Sequence, residues 1–171
     1  DMREIMLIAK KYKLFVLEDA ACALGALDNG QHVGTFGDLA SFSLHPRKAI
    51  TSGEGGILVT NDAKLSAKIR VLRNHGIEMQ EGKMEFVEAG YNYRMTDIQG
   101  AIGVVQFKKL DIFIDERQKW AEYYQEQLKD IPWLTTPKVP PGYKHGWQSY
   151  VTYVDEAKAP MKRNEIMEYL Q

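Results

Sequence analysis

Phe15–Ala26 reads F-V-L-E-D-A-A-C-A-L-G-A, Gly34–Lys48 reads G-T-F-G-D-L-A-S-F-S-L-H-P-R-K, and Ala49–Gly56 adds A-I-T-S-G-E-G-G. At the head of this stretch, Leu14–Leu17 is a short apolar run of the kind that forms a buried strand, and it stops on two carboxylates, Glu18 and Asp19. Leu39–Leu44 is a second such run, stopping on His45, Pro46, Arg47 and Lys48. In open α/β sheets, ligands collect outside the carboxyl ends of the strands. An acid closing one strand and an amine just past another therefore point to one pocket holding both Asp19 and Lys48.

That pair suits a specific chemistry. A lysine amine forms a Schiff base with a carbonyl, and a carboxylate holds the protonated ring nitrogen of pyridoxal phosphate. Arg47 is excluded from the first task because a guanidinium stays protonated. Taken on spacing alone, the same residues also fit a loop-capping aspartate and one more solvated lysine, and that bland pairing is the commoner one.

With 171 residues, 44% of them hydrophobic, the chain can bury a real core and fill one domain, or one and a part. A net charge of −1 leaves no electrostatic footprint for nucleic acid, and no run of basic residues, Lys108–Lys109 included, exceeds two. No apolar run approaches a membrane span, and no signal-peptide pattern opens the chain. The single cysteine, Cys22, rules out an internal disulfide framework and fits a reducing compartment, so cytoplasm is the default. Four scattered histidines give no metal-ligand spacing, and no metal is expected. The chain opens at Asp1 directly into a helical pattern and closes at Gln171 inside another; both edges read as cuts through a longer protein.

Along the chain, Asp1 caps an expected helix over Met2–Lys11. Asp28-Asn29-Gly30 is a turn signal, and Gly34 and Gly37 around Phe36 read as a tight bend rather than a phosphate loop. Ser52–Gly56 is a glycine-rich turn before a third strand, Ile57–Thr60, and Asn61 and Asp62 then cap a scaffold helix. Gly82–Gly90 is polar and irregular, an expected exposed loop. In Tyr91-Asn92-Tyr93-Arg94, an extended backbone places both tyrosines on one face and Asn92 with Arg94 on the other. Thr96–Gln99 has the form of a capping box, so Asn92 and Arg94 stand just before a helix start that favours an anion. On sequence alone, a loop arginine paired with a carboxylate fits slightly better. Helices are expected over Asp97–Lys109 and Ile112–Lys129, the second with a packing stripe of Phe113, Trp120, Tyr124 and Leu128. Prolines from Pro132 to Pro141 mark a boundary; His145–Val154 reads as a strand and Met161–Leu170 as a helix.

E-D-A-A-C-A-L-G-A, G-T-F-G-D, S-F-S-L-H-P-R-K, T-S-G-E-G-G and G-Y-N-Y-R-M, in this order, resemble the core of the DegT/StrS-type sugar aminotransferases, from Asp1 to about Leu128. These are fold-type I pyridoxal-phosphate enzymes. The resemblance implies an α/β fold: part of the large domain, with a mixed, mostly parallel sheet, then the start of a small α+β domain. Its division would be 1–110 for the carboxyl-terminal part of the large domain, 111–131 for a connecting helix and 132–171 for the small domain. It further implies a homodimer with shared sites, a missing amino-terminal part and tail, and transfer of an amino group, with glutamate as donor, to a nucleotide-linked keto-sugar.

Carried over residue by residue, the resemblance makes Lys48 the Schiff-base lysine and Asp19 the partner of the ring nitrogen. Ser43 falls where a hydroxyl holds the cofactor phosphate, though a core serine bonded to its own backbone fits too. Asn92 falls where the family's asparagine reaches the cofactor phosphate in the neighbouring subunit's site, with Arg94 beside it supporting that contact or the substrate. His45 is read as a pocket-wall residue on the substrate side. Cys22 stands where many members carry glutamine or histidine against the cofactor, a departure that leaves this contact open. A dehydratase branch carries histidine at the lysine position, so Lys48 speaks for transamination. Retention of Lys48 with Asp19 speaks against a non-catalytic scaffold.

Overall fold

The computed structural model describes residues 1–170. Asp1 caps helix α1 (Met2–Tyr12), its carboxylate accepting from the N–H groups of Arg3 and Glu4. Lys13 ends the helix in the left-handed conformation and leads to strand β1 (Leu17–Asp19). β2 (Leu27–Asp28) and β3 (Gln31–His32) form a hairpin over Asn29 and Gly30, both at positive φ (46° and 84°), as the expected Asn-Gly turn requires. β4 (Leu39–Ser43) and β5 (Gly56–Val59) flank the lysine-bearing loop. Then come α2 (Ala63–Leu72), β6 (Ile77–Gln80), β7 (Lys83–Phe86), α3 (Asp97–Phe107) and α4 (Leu110–Leu128). The chain finishes with β8 (Leu134–Thr135), β9 (Tyr143–Lys144), β10 (Tyr153–Val154) and α5 (Arg163–Tyr169).

The central sheet is mixed, in the order β1-β4-β5: β1 runs parallel to β4, and β5 antiparallel to it. The register pairs Leu17 with Leu39, Glu18 with Ala40 and Asp19 with Ser41. Pairing therefore takes in the two carboxylates instead of stopping before them. The apolar run expected as the strand is largely its approach. Val16 is held there by Asp38, whose carboxylate accepts the Val16 N–H at 2.8 Å. Ala20, Ala40, Leu44, Ile50, Ile114, Ala121 and Trp147 are buried.

Four expectations are corrected. Gly82–Gly90 is not irregular throughout: β6 and β7 pair across Glu81-Gly82, both at positive φ, and the segment read as a loop because every β7 residue is exposed. The stripe of α4 is shifted by one position, since Ile114 and Ala121 are buried while Trp120 and Tyr124 stay exposed. His145–Val154 is not one strand. Trp147 takes a left-handed φ of 46°, which breaks the extension, and only Tyr153–Val154 pairs, with β8. The last helix starts at Arg163 rather than Met161, because Glu165 caps back onto the Lys162 N–H. Meanwhile β9 joins the edge of β2, so the chain beyond α4 returns to the first region.

Candidate active site

Asp19 closes β1, and the chain turns at once: the Ala21 N–H donates to Asp19 Oδ1 at 3.1 Å. The turn exposes Cys22. On the neighbouring parallel strand, β4 runs two residues past the Asp19–Ser41 pair and delivers the loop bearing Lys48. The Lys48 Nζ donates to Cys22 Sγ at 2.8 Å. Lys48 thus lies against the turn that follows Asp19, at the carboxyl ends of two adjacent parallel strands. Among the described residues, no carboxylate forms an ion pair with Lys48 or a cation with Asp19.

The lysine loop is closely tied. The Lys48 N–H donates to the His45 carbonyl, and the His45 N–H donates to Ser43 Oγ at 3.3 Å. His45 Nδ1 accepts the Arg47 N–H at 3.2 Å while Nε2 lies 3.7 Å from Glu54 Oε1. Nδ1 thus acts as an acceptor within the loop, while Nε2 points toward the Glu54 carboxylate. Thr51 Oγ1 donates to the Leu44 carbonyl and buried Ser52 Oγ to that of Glu54. The capping box of α3 is formed, and its Gln99 Nε2 also donates to the Glu54 carbonyl at 3.0 Å.

Glu18 was passed over in the sequence, yet it organises the opposite side of β1. It is 5% exposed, and its carboxylate accepts three backbone N–H groups: Gly34 at 2.7 Å, Phe36 at 2.7 Å and Gly37 at 2.6 Å. Gly34 has φ 91°, and a Cβ there would meet the Phe42 ring at 2.4 Å. The glycine-rich bend therefore does bind an anion, but the anion is the protein's own. The only signal was the spacing of Gly34 and Gly37, which is weak by itself.

Tyr91 and Tyr93 stack at 4.8 Å on one face, as the alternation predicts. They line a groove of about 900 Å³ together with β5 and α2, and Lys48 is not among its lining residues. On the other face, Arg94 Nη1 donates to Asn74 Oδ1 at 2.7 Å, not to a carboxylate, and Asn92 bridges Asn74 through backbone. No hydrogen bond among the described residues connects Asn92 or Arg94 to Lys48. The single chain brings together Asp19, Cys22, Ser43, His45 and Lys48, and leaves Asn92 and Arg94 displayed outward.

The model of the DegT/DnrJ/EryC1/StrS aminotransferase family matches residues 1–171. The chain belongs to this family. The match to the DegT/DnrJ/EryC1/StrS family runs through the segment after Leu128, where the motif resemblance fades. UDP-4-amino-4,6-dideoxy-N-acetyl-beta-L-altrosamine transaminase of Campylobacter jejuni is 41% identical over 140 residues, 81% of this chain and 37% of that protein. GDP-perosamine synthase of Caulobacter vibrioides is 38% identical over 157 residues, 91% of this chain and 42% of that protein. Among solved structures, Helicobacter pylori PseC, an aminotransferase involved in the biosynthesis of pseudoaminic acid, matches with a TM-score of 0.85 at 32% identity. That match covers 90% of this chain and 42% of the other. The chain spans less than half the length of these DegT/DnrJ/EryC1/StrS relatives.

The donor set suits pyridoxal phosphate: an amine without a carboxylate partner, a carboxylate with a free oxygen and a hydroxyl, on neighbouring strand ends. Sequence reasoning missed one further contributor. Gln148 Nε2 donates to the Arg47 carbonyl at 2.6 Å, across 101 positions. No local pattern marks that contact.

Proposed function

We propose that the full-length protein is a pyridoxal-phosphate-dependent aminotransferase that moves an amino group from glutamate onto a nucleotide-linked keto-sugar. The observation that carries this reading is the Lys48 amine at 2.8 Å from Cys22, three residues beyond Asp19, at the ends of a parallel strand pair. The names of the altrosamine transaminase and the perosamine synthase support the substrate class.

Bound pyridoxal phosphate supplies an aldehyde for the Lys48 Schiff base and a ring that draws off carbanion charge. The residues do the rest. Once freed, the Lys48 amine carries a proton to and from the substrate carbon as base and acid. Asp19 keeps a proton on the ring nitrogen, and Cys22 packs beside the amine. The Ser43 hydroxyl holds the phosphate, as does Asn92 supplied by a second copy of the chain. Arg94 and His45 face the substrate. This reading entails a homodimer with exchanged sites, a cytoplasmic enzyme and the division 1–110, 111–131 and 132–171. No helix among the described residues is long and apolar enough to cross a membrane.

Replacing Lys48 with alanine in the full-length protein tests the proposal. The cofactor absorption band disappears, and turnover with glutamate and a keto-sugar nucleotide falls by more than about a hundredfold. An unchanged band with unchanged turnover removes Lys48 from this role.

A further inference from the structure

We propose that Gln148 is a positioning residue for Lys48, holding from outside the loop the peptide plane from which the lysine side chain springs. The inference rests on the reading of Lys48 as the cofactor-bearing residue. A trans peptide is planar, so the carbonyl of Arg47 and the N–H of Lys48 turn together as one rigid unit. Both of its polar groups are engaged. The Lys48 N–H donates inward to the His45 carbonyl, and the Arg47 carbonyl accepts the Gln148 amide at 2.6 Å. With the plane fixed at both edges, the Lys48 Cα is fixed as well, and rotation about its N–Cα bond is the one backbone freedom left to aim Cβ.

Gln148 is itself held by an expensive local geometry. Trp147 is a bulky residue at φ 46°, 7% exposed, in a region that residues of its size seldom enter. Such strain persists only where surrounding contacts over-determine it, and it gathers near functional sites. The contacts are present. Trp147 N–H donates to His145 Nδ1 at 2.8 Å, and its indole Nε1 donates to Gln118 Oε1 at 2.9 Å. Arg117 Nη1 donates to the Trp147 carbonyl at 2.8 Å and the Gln148 carbonyl at 3.4 Å. Gly146, just before, lies so near the Leu24 carbonyl that an added Cβ would sit 3.0 Å from it. One short segment therefore bridges the two parts of the site, resting on the chain just past Cys22 and gripping the lysine loop. α4 braces it from behind.

The test uses the full-length protein with bound pyridoxal phosphate, comparing wild type, Gln148→Ala and Gln148→Glu, with Lys48→Ala as reference. The glutamate variant keeps the shape and loses the donor, so it serves should the alanine variant fold poorly. Both Gln148 variants are expected to bind cofactor about fivefold more weakly, because binding must then order the lysine loop that Gln148 holds in advance. They are also expected to move the pH midpoint of its absorption band, with no more than a small fall in the unfolding temperature of the cofactor-free protein. Cofactor affinity and band as in wild type would overturn the inference, and so would changes that only track a lowered unfolding temperature. If wild type and Lys48→Ala show the same band, the functional reading falls and takes this one with it. A band lost in Lys48→Ala but untouched in both Gln148 variants removes only Gln148.

Discussion

Two regions carry the chemistry-bearing residues, and they are built in opposite ways. Around Lys48, side chains are held by long-range bonds: Glu18 grips the bend at Gly34–Gly37, Gln99 reaches Glu54, and Gln148 reaches Arg47. Around Asn92, the anchoring is mainly through the backbone, with one exposed side-chain bond from Arg94 to Asn74. Tyr91 N–H donates to the Leu72 carbonyl and Tyr93 N–H to that of Arg73, leaving the side chains exposed. Under the proposed function, a lysine that must be aimed needs the first construction, and residues offered to a partner need only the second. The contrast teaches that one chain can brace some polar side chains internally and display others.

The sharpest way to break this contrast is Glu18→Ala, which leaves three N–H groups without their acceptor. A loss of about 3 kcal/mol or more in urea unfolding is expected. A loss under about 1 kcal/mol would show that the bend holds without its carboxylate. Arg94→Ala probes the other region, where a single exposed bond to Asn74 is removed. Stability should change by no more than about 0.5 kcal/mol, while the full-length protein should bind the nucleotide-sugar more weakly. A large fall in unfolding free energy would place Arg94 with the internally braced group.

The smallest effect sharpens the border between the regions, at His145. Burial pushes the His145 pKa below the usual 6.5, and its Nδ1 accepts the Trp147 N–H. The unfolded chain then takes up the proton more readily. The associated stability is present above about pH 6.5 and is lost as pH falls through that value toward the lowered pKa. The unfolding midpoint should therefore decline on acidification from pH 7 to pH 5, less steeply in His145→Gln. Identical slopes would detach the turn at Trp147 from the histidine beneath it.

Much of this was legible locally. Asp1, Asp62 and Thr96 announced their helices, because a cap is satisfied within three residues of itself. Asn29-Gly30 announced its hairpin because only certain residues tolerate positive φ. The apolar run Leu39–Leu44 announced β4 within one residue. Less was visible where burial depends on a distant partner. The stripe on α4 slipped because Ile114 is buried by packing on Gly25, 89 positions away in a segment no helical period describes. His145–Val154 alternates like a strand, yet Trp147 turns inward to bond Gln118.

By itself the sequence determined the short-range facts: the caps, the turns, the two strands ending on acid and amine, and the residue types suited to a carbonyl cofactor. Only the tertiary structure decided which groups meet. Glu18 finding three backbone donors, Lys48 lying on Cys22, and Gln148 closing on Arg47 each join segments 16 to 101 positions apart. The physical reason is that a hydrogen bond is specified by distance and angle in space, while a sequence pattern records only neighbours along the chain.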